Sequence, residues 1–131
     1  MQLRFRTINS GASMETAAKM LLEGSQHDFP VVAGEGGEVI GLLTRVDIAN
    51  GLATEGSDGY IAAHMRRDFK TAHPNLPLEM AIDMFNKDDV NPIIVMEDGH
   101  MLGMVTQENL SEFIMLEHAR QRSHRAYSYT A

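Results

Sequence analysis

Two short segments carry polar side chains at a spacing that could do chemistry. Gly41-Leu42-Leu43-Thr44-Arg45-Val46-Asp47 sets a hydroxyl three residues before a carboxylate, and Gly103-Met104-Val105-Thr106-Gln107-Glu108-Asn109 sets one three residues before an amide. The simplest reading is structural. A threonine at a strand end can N-cap the next helix, and the side chain three residues on takes the reciprocal place of a capping box. A carboxylate in a first helical turn also suits the helix dipole. Ligand binding is the other reading. The element occurs twice at one distance from a proline (Pro30 to Thr44, Pro92 to Thr106). Its glycine removes a side chain where a flat ligand or a second backbone would come close.

The elements that position these residues repeat as well. Met1-Gln2-Leu3-Arg4-Phe5-Arg6-Thr7 returns as Met65-Arg66-Arg67-Asp68-Phe69-Lys70-Thr71 at an offset of 64, and Pro30-Val31-Val32 returns as Pro92-Ile93-Ile94 at an offset of 62. Fixed-period self-similarity marks a duplicated supersecondary unit. Each copy reads strand, helix, strand, strand, helix. Met14, Ala17, Ala18, Leu21 and Leu22 form a helical apolar stripe, repeated by Leu78, Ala81, Ile82 and Phe85 with Pro77 placed for the first turn. Phe29 to Val32 and Asn91 to Val95 read as buried strands entered at a proline. Glu35-Gly36-Gly37-Glu38 and Glu97-Asp98-Gly99-His100 supply turns for two hairpins. Helices follow from Arg45 to about Leu52 and from Gln107 to about Arg120, and Ser57-Asp58 would cap a short helix through Met65. No counterpart of that short helix precedes Met1, so the repeat phase places Met1 inside a unit. The expected organisation is a first repeat over 1–58, incomplete at its N-terminus, a second over 59–120, and a flexible tail over 121–131.

Composition narrows the function. The 131 residues suit one compact domain or two halves sharing a core. With 44% apolar residues the chain is ordinary globular material, and most of its 10 methionines are expected in the core. A net charge of −7 repels phosphate backbones and anionic lipid, which counts against nucleic acid or membrane as partner. No cysteine means no disulfide, thiolate metal site or cysteine nucleophile, a usage that fits the cytoplasm. Six histidines at 27, 64, 73, 100, 118 and 124 show no metal-binding spacing, so no metal is expected. Asp88-Asp89 and Glu97-Asp98 are carboxylate pairs in turns, read as solvated charge. No nucleophile with its base is visible, and no catalytic residue is assigned.

In order along the chain, Met-x-Arg-Asp-x-x-Thr, the proline-led strand and Gly-h-h-Thr-x-x-Asp resemble the cystathionine-β-synthase (CBS) domain. The chain from Arg4 to about Arg120 resembles a tandem CBS pair, or Bateman module. The linker and the Val-Thr-Gln-Glu-Asn-Leu-Ser-Glu-Phe segment are similar to modules attached to intramembrane zinc metalloproteases. The resemblance implies an α/β fold of α+β type, with two pseudo-symmetric β-α-β-β-α repeats packed sheet to sheet. It further implies dimerisation into a flat disc and two clefts that take adenosine compounds such as AMP, ADP, ATP or S-adenosylmethionine. Such a module would regulate an attached or partner protein. By position, the first cleft would use Thr7, Phe29, Pro30, Val31, Thr44 and Asp47, with Asp47 on the ribose and Thr44 near the phosphates. The second would use Thr71, Asn91, Pro92, Ile93, Thr106 and Asn109. A carboxylate can accept from both ribose hydroxyls in charge-assisted bonds. Asn109 has one acceptor oxygen, so the second cleft is expected to be the weaker. Arg45, Arg66, Arg67 and Lys70 are the expected phosphate contacts, with solvated surface charge the other reading of them. A ligand-free structural dimerisation module, with Phe29 and methionines filling the adenine slot, is the alternative function.

Overall fold

The computed structural model describes residues 4–34, 37–86 and 89–130; for Glu117 and residues 121–130 only the backbone is described. Two three-stranded sheets account for the duplication. The first repeat runs β1 (Ile8–Asn9), α1 (Met14–Glu23), β2 (Phe29–Val32), β3 (Val39–Leu43) and α2 (Arg45–Glu55). The second runs β4 (Thr71–Ala72), α3 (Leu78–Asp83), β5 (Ile93–Glu97), β6 (His100–Val105) and α4 (Gln107–Thr130). In each sheet the short first strand pairs parallel with the second, which pairs antiparallel with the third. The expected α+β repeat order is found in both halves.

Strand alternation divides the side chains between two environments. Phe29, Val31 and Leu43 point to the helical side of the first sheet, where they meet Ile8, Met14, Ala17 and Ile48, all buried. Pro30 and its partner Leu42 take the other face, and Leu42 packs on Ile94 and Met104 of the second sheet. That second cluster, with Phe69, Met96 and Met101 at its margin, joins the repeats. Methionines therefore do serve as filling, though Met80 and Met115 are exposed.

The segment between the repeats departs from expectation. Ser57 and Asp58 cap no helix, and only a single 3-10 turn forms, at Ile61–Ala63. The carbonyls of Ser57 and Gly59 instead accept the Glu15 and Met14 N–H groups at 3.1 and 2.7 Å, closing the start of α1. Ile61 N–H reaches Ala12 O at 3.0 Å and its side chain is fully buried in the first core. Burying that isoleucine outweighs the short helix the polar residues favoured. Residues 59–65, which the repeat phase gives to the second unit, thus pack on the first.

Three boundaries also move. The helix α3 stops at Asp83, short of Phe85, and Pro77 stands at its N-cap rather than in its first turn. The helix α2 reaches Glu55 instead of Leu52. The backbone of α4 stays helical to Thr130, where a flexible tail was expected from residue 121. The Asp98-Gly99 turn forms as its residues dictate, both at positive φ (52° and 79°) between the paired Glu97 and His100. Met1 to Leu3 of the repeated opening, Glu35 and Gly36 of the other turn, Asp88 of its carboxylate pair, and Ala131 lie outside the described residues.

Candidate functional site

The helix α2 begins where β3 leaves the sheet, and its first turn is closed in both directions. Thr44 Oγ1 accepts the Asp47 N–H at 3.2 Å, and Asp47 Oδ2 accepts the Thr44 N–H at 3.0 Å. The capping box therefore forms in full. Asp47 also has a third partner that its helix does not supply. Arg66 Nε donates to both carboxylate oxygens, at 3.0 and 3.2 Å. The Asp47 side chain is 12% exposed against 45% for Arg66. Arg66 is held by its backbone, which exchanges two 2.8 Å hydrogen bonds with Leu42 on the edge of β3. Gly41 admits this approach, since a Cβ there would lie 2.6 Å from Met65 Sδ and 2.9 Å from Arg66 O. Of the two reasons a glycine could precede the threonine, the second backbone is the one seen in the first repeat.

Charge around this point is dense and mixed in sign. The Arg66 pKa is pushed up, chiefly by the hydrogen bond to Asp47; burial opposes the rise, and the charges of Asp47, Asp89 and Asp28 add to it. Asp28, directly before β2, has its own pKa raised by burial. The charges of His27 and Arg45 and the Arg45 backbone N–H counter that, and nearby Asp47 reinforces it. Lys70 Nζ donates to the carbonyls of Met84 and Asp89 at 3.0 and 3.2 Å, pairs with Asp89 Oδ1 at 3.4 Å and lies 4.2 Å from the Phe85 ring centroid. Of the four cations expected to meet phosphate, Lys70 is thus 14% exposed and committed to the end of α3, and Arg66 is held by Asp47. Arg45 and Arg67 are exposed.

The structure brings Thr44, Arg45, Asp47 and Arg66 together at one end of the first sheet. Pro30 lies buried on the face shared with the second repeat. Phe29 and Val31 are turned away into the first core, so the Phe29 ring does not fill a slot between the repeats. Thr7 is exposed and lines an open groove of about 510 Å³ with Val32, Val39, Met96, Met101 and the Asp98-Gly99 turn.

The second repeat is built differently. Thr106 Oγ1 accepts the Asn109 N–H at 3.0 Å and donates to Asn109 Oδ1 at 2.8 Å. This uses the amide oxygen and leaves its N–H₂ as the remaining polar group. Thr71 is exposed at the start of β4, Asn91 is half-buried and Pro92 is buried. Ile93 faces the helical side and lines a cavity of about 280 Å³ with Ala72, Val95, Val105, Asn109 and Leu110. In the first repeat the helical side holds buried Phe29, Ile8 and Ile61; the residues corresponding to Phe29 and Ile8 in the second are Asn91 and Ala72. Sequence reasoning overlooked Asp28 and gave Asp89 no partner. Asp28 adjoins the Phe29-Pro30 strand entry, a signal that was legible. Asp89 was read as solvated turn charge, whereas it pairs with Lys70.

Comparison with known proteins agrees with this architecture. The profile of the CBS domain matches residues 1–54 and again 61–116. The chain belongs to the CBS-domain family. The CBS-domain-containing protein ATU1752 from Agrobacterium tumefaciens superposes with a TM-score of 0.74 at 17% identity, over 83% of each chain. The CBS-domain pair of protein MJ0100, crystallised with 5-methylthioadenosine and S-adenosyl-L-methionine, is 28% identical, with a TM-score of 0.72 over 88% of this chain and 93% of that one. An L-aspartate semialdehyde sulfurtransferase of Methanocaldococcus jannaschii is 31% identical over 80% of this chain and 20% of its own length. A homoserine O-acetyltransferase of Methanohalobium evestigatum is 29% identical over 82% and 22%. The chain therefore spans about a fifth of the length of each of these two relatives. Neither of these two is named as an intramembrane protease. No helix among the described residues is long and apolar enough to cross a membrane.

Proposed function

We propose that this CBS pair is a regulatory sensor that binds an adenosine-containing compound in its first cleft and sets the state of an attached or partner protein. It acts by binding, with no chemistry of its own and no required cofactor, in the cytoplasm or on the cytoplasmic portion of a membrane protein. The observation that carries this reading is the Asp47–Arg66 pair. A ribose diol would place two hydroxyl donors where the guanidinium now donates, in charge-assisted bonds to the same oxygens. The ligand and Arg66 then compete for one carboxylate. Arg66 lies in the strap that runs from the first repeat into the second, so displacing its side chain removes that strap's side-chain tie to Asp47 while its backbone bonds to Leu42 remain. Occupancy at Asp47 would thereby bias the angle between repeats, to the extent that the ligand prefers one arrangement.

The complex of protein MJ0100 with two adenosine compounds supports the ligand class. Leu78 and Ile82 on one side of α3, with Phe113 of α4, are exposed apolar residues on which a second copy would dock to give a homodimer. The structural alternative keeps one point in its favour: Asp47 is satisfied internally without any ligand. Isothermal titration with AMP, ADP, ATP and S-adenosylmethionine separates the two, with Arg66→Ala alongside. Saturable binding that strengthens in Arg66→Ala supports the sensor, because the competitor is gone while the cap remains. Absence of heat with all four ligands in both proteins leaves the structural module standing.

A further inference from the structure

One buried residue of the first core is lent by the linker. Ile61 is buried there with Ile8, Met14, Ala17, Val31, Leu43 and Ile48. Carried into the second repeat, at an offset of 64 for the first three of these six and 62 for the rest, they become Ala72, Leu78, Ala81, Ile93, Val105 and Leu110. All six line the cavity of about 280 Å³ under α3 and α4. The cavity wall is thus the second repeat's version of the wall around Ile61, and no described side chain takes the place of that isoleucine.

The backbone edge beside the cavity is vacant too. In the first repeat the linker runs antiparallel along the entry to α1. Ile61 N–H donates to Ala12 O at 3.0 Å, Ala62 N–H to Ser10 O at 3.1 Å, and Met14 N–H to Gly59 O at 2.7 Å. The equivalent groups are Leu76 O, Pro74 O and Leu78 N–H, and none has a partner among the described residues. Pro74 and Leu78 are exposed and Leu76 is half-buried, so the edge is open to solvent. Pro74 and Pro77 stand where the first repeat has Ser10 and Ser13, yet the edge keeps its pairing groups. The linker takes only a carbonyl at Ser10 and no backbone bond at Ser13, so neither missing N–H matters.

We propose that this edge and cavity form a docking groove for an extended segment of another protein, which pairs with residues 74–78 as an added antiparallel strand and seats one isoleucine-like side chain in the cavity. The main-chain bonds give affinity, and the cavity selects the side chain. Linker residues 57–62 identify the occupant, because they already make this complex with the first repeat. A cavity of about 150 Å³ admits a benzene ring, so this one takes a branched aliphatic side chain. Phe113 stands where the first repeat has Gly51, against which His64 packs. The visiting strand must therefore turn away after the residue that matches Ala62. The groove lies on the helical side of the second sheet, so it does not depend on what the first cleft binds. Leu78 and Phe113 also belong to the face offered to a second copy, and the two occupants compete for them.

The test is an NMR titration of the 131-residue chain with the end-capped peptide Ser-Asp-Gly-Tyr-Ile-Ala, copied from residues 57–62, and with the same peptide carrying alanine for isoleucine. The isoleucine peptide should shift the amides of Leu78, Ala81, Ile93 and Val105 saturably. The alanine peptide should bind about tenfold more weakly or worse, the scale of losing the buried outer carbons. Ala72→Ile, which fills the cavity from within, should weaken the isoleucine peptide by a similar factor. The two peptides on the wild type carry the test should that variant fold poorly. Equal binding of both peptides, or shifts centred on the first repeat, would overturn the groove. So would a spectrum unmoved at several millimolar isoleucine peptide. The same amides moving with protein concentration, and not with peptide, would give the face to a second copy instead.

Discussion

The contact between Asp47 and Arg66 gives a number that unfolding experiments can check. Asp47 does two jobs, the reciprocal half of the α2 cap and the acceptor for Arg66. A cap of this kind contributes about 1 kcal/mol. The ion pair is half-exposed on the arginine side and uses one guanidinium nitrogen, which keeps it near the upper end of surface pairs, about 0.5–1 kcal/mol. Asp47→Ala should therefore cost about 2 kcal/mol and Arg66→Ala about 1 kcal/mol or less. The double variant should cost scarcely more than Asp47→Ala alone, because the pair can be lost only once. Urea unfolding of the four proteins measures the coupling, expected at about 0.5–1 kcal/mol, and the slopes should stay equal if only stability changes. Additive costs, with coupling below about 0.3 kcal/mol, would show that the guanidinium does not sit on Asp47 in solution, and the competition between ligand and linker would fall.

Three further outcomes follow from the same structure. Gly41→Ala should lose about 1–3 kcal/mol in urea unfolding, because its Cβ would meet the Met65 side chain and the Arg66 carbonyl; an unchanged midpoint would mean the linker does not lie on β3. Ala72→Ile, which copies Ile8 into the cavity of the second repeat, should gain about 1–2 kcal/mol from new buried methylenes, where a filled core would lose stability. Asp28 carries a folded-state pKa above its ordinary value of 3.8, so the folded protein holds its proton more tightly than the unfolded chain. Its contribution is thus most favourable below pH 3.8 and is lost as pH rises through the raised value. The melting temperature of Asp28→Asn relative to wild type should climb with pH across that window, and a flat or falling difference would contradict the burial seen here.

Much of this molecule was legible in its sequence, for identifiable reasons. The duplication, the β-α-β-β-α order and the Thr44-Asp47 cap are local or periodic signals, and local rules carried them. The Asp98-Gly99 turn was equally secure, because few residue pairs accept two positive φ angles. What failed was non-local. Ser57-Asp58 looks like a cap, but buried Ile61 decides that segment, and no pattern in residues 57–65 shows which core will take the isoleucine. Lys70 and Arg66 look like phosphate contacts because both are basic and near the motif. Their partners, Asp89 and Asp47, lie 19 residues away in opposite directions, so the neutralisation appears only once the chain is folded. Phe29 was placed in the cleft by family position, yet strand alternation sends it into the core.

The unequal filling of the two helical sides has a bearing on where change can accumulate. The first repeat is closed by Phe29, Ile8 and the linker's Ile61, while the second keeps an open apolar cavity under α3 and α4. Opening the first half must tear out its own plug, so its amides should exchange slowly with solvent and together. Opening the second loses less, so it should breathe first and more often. Two halves of common design have in this way divided their labour: one is an anchor whose sequence has little room to vary, and the other is a pliable partner that can be retuned without endangering the fold.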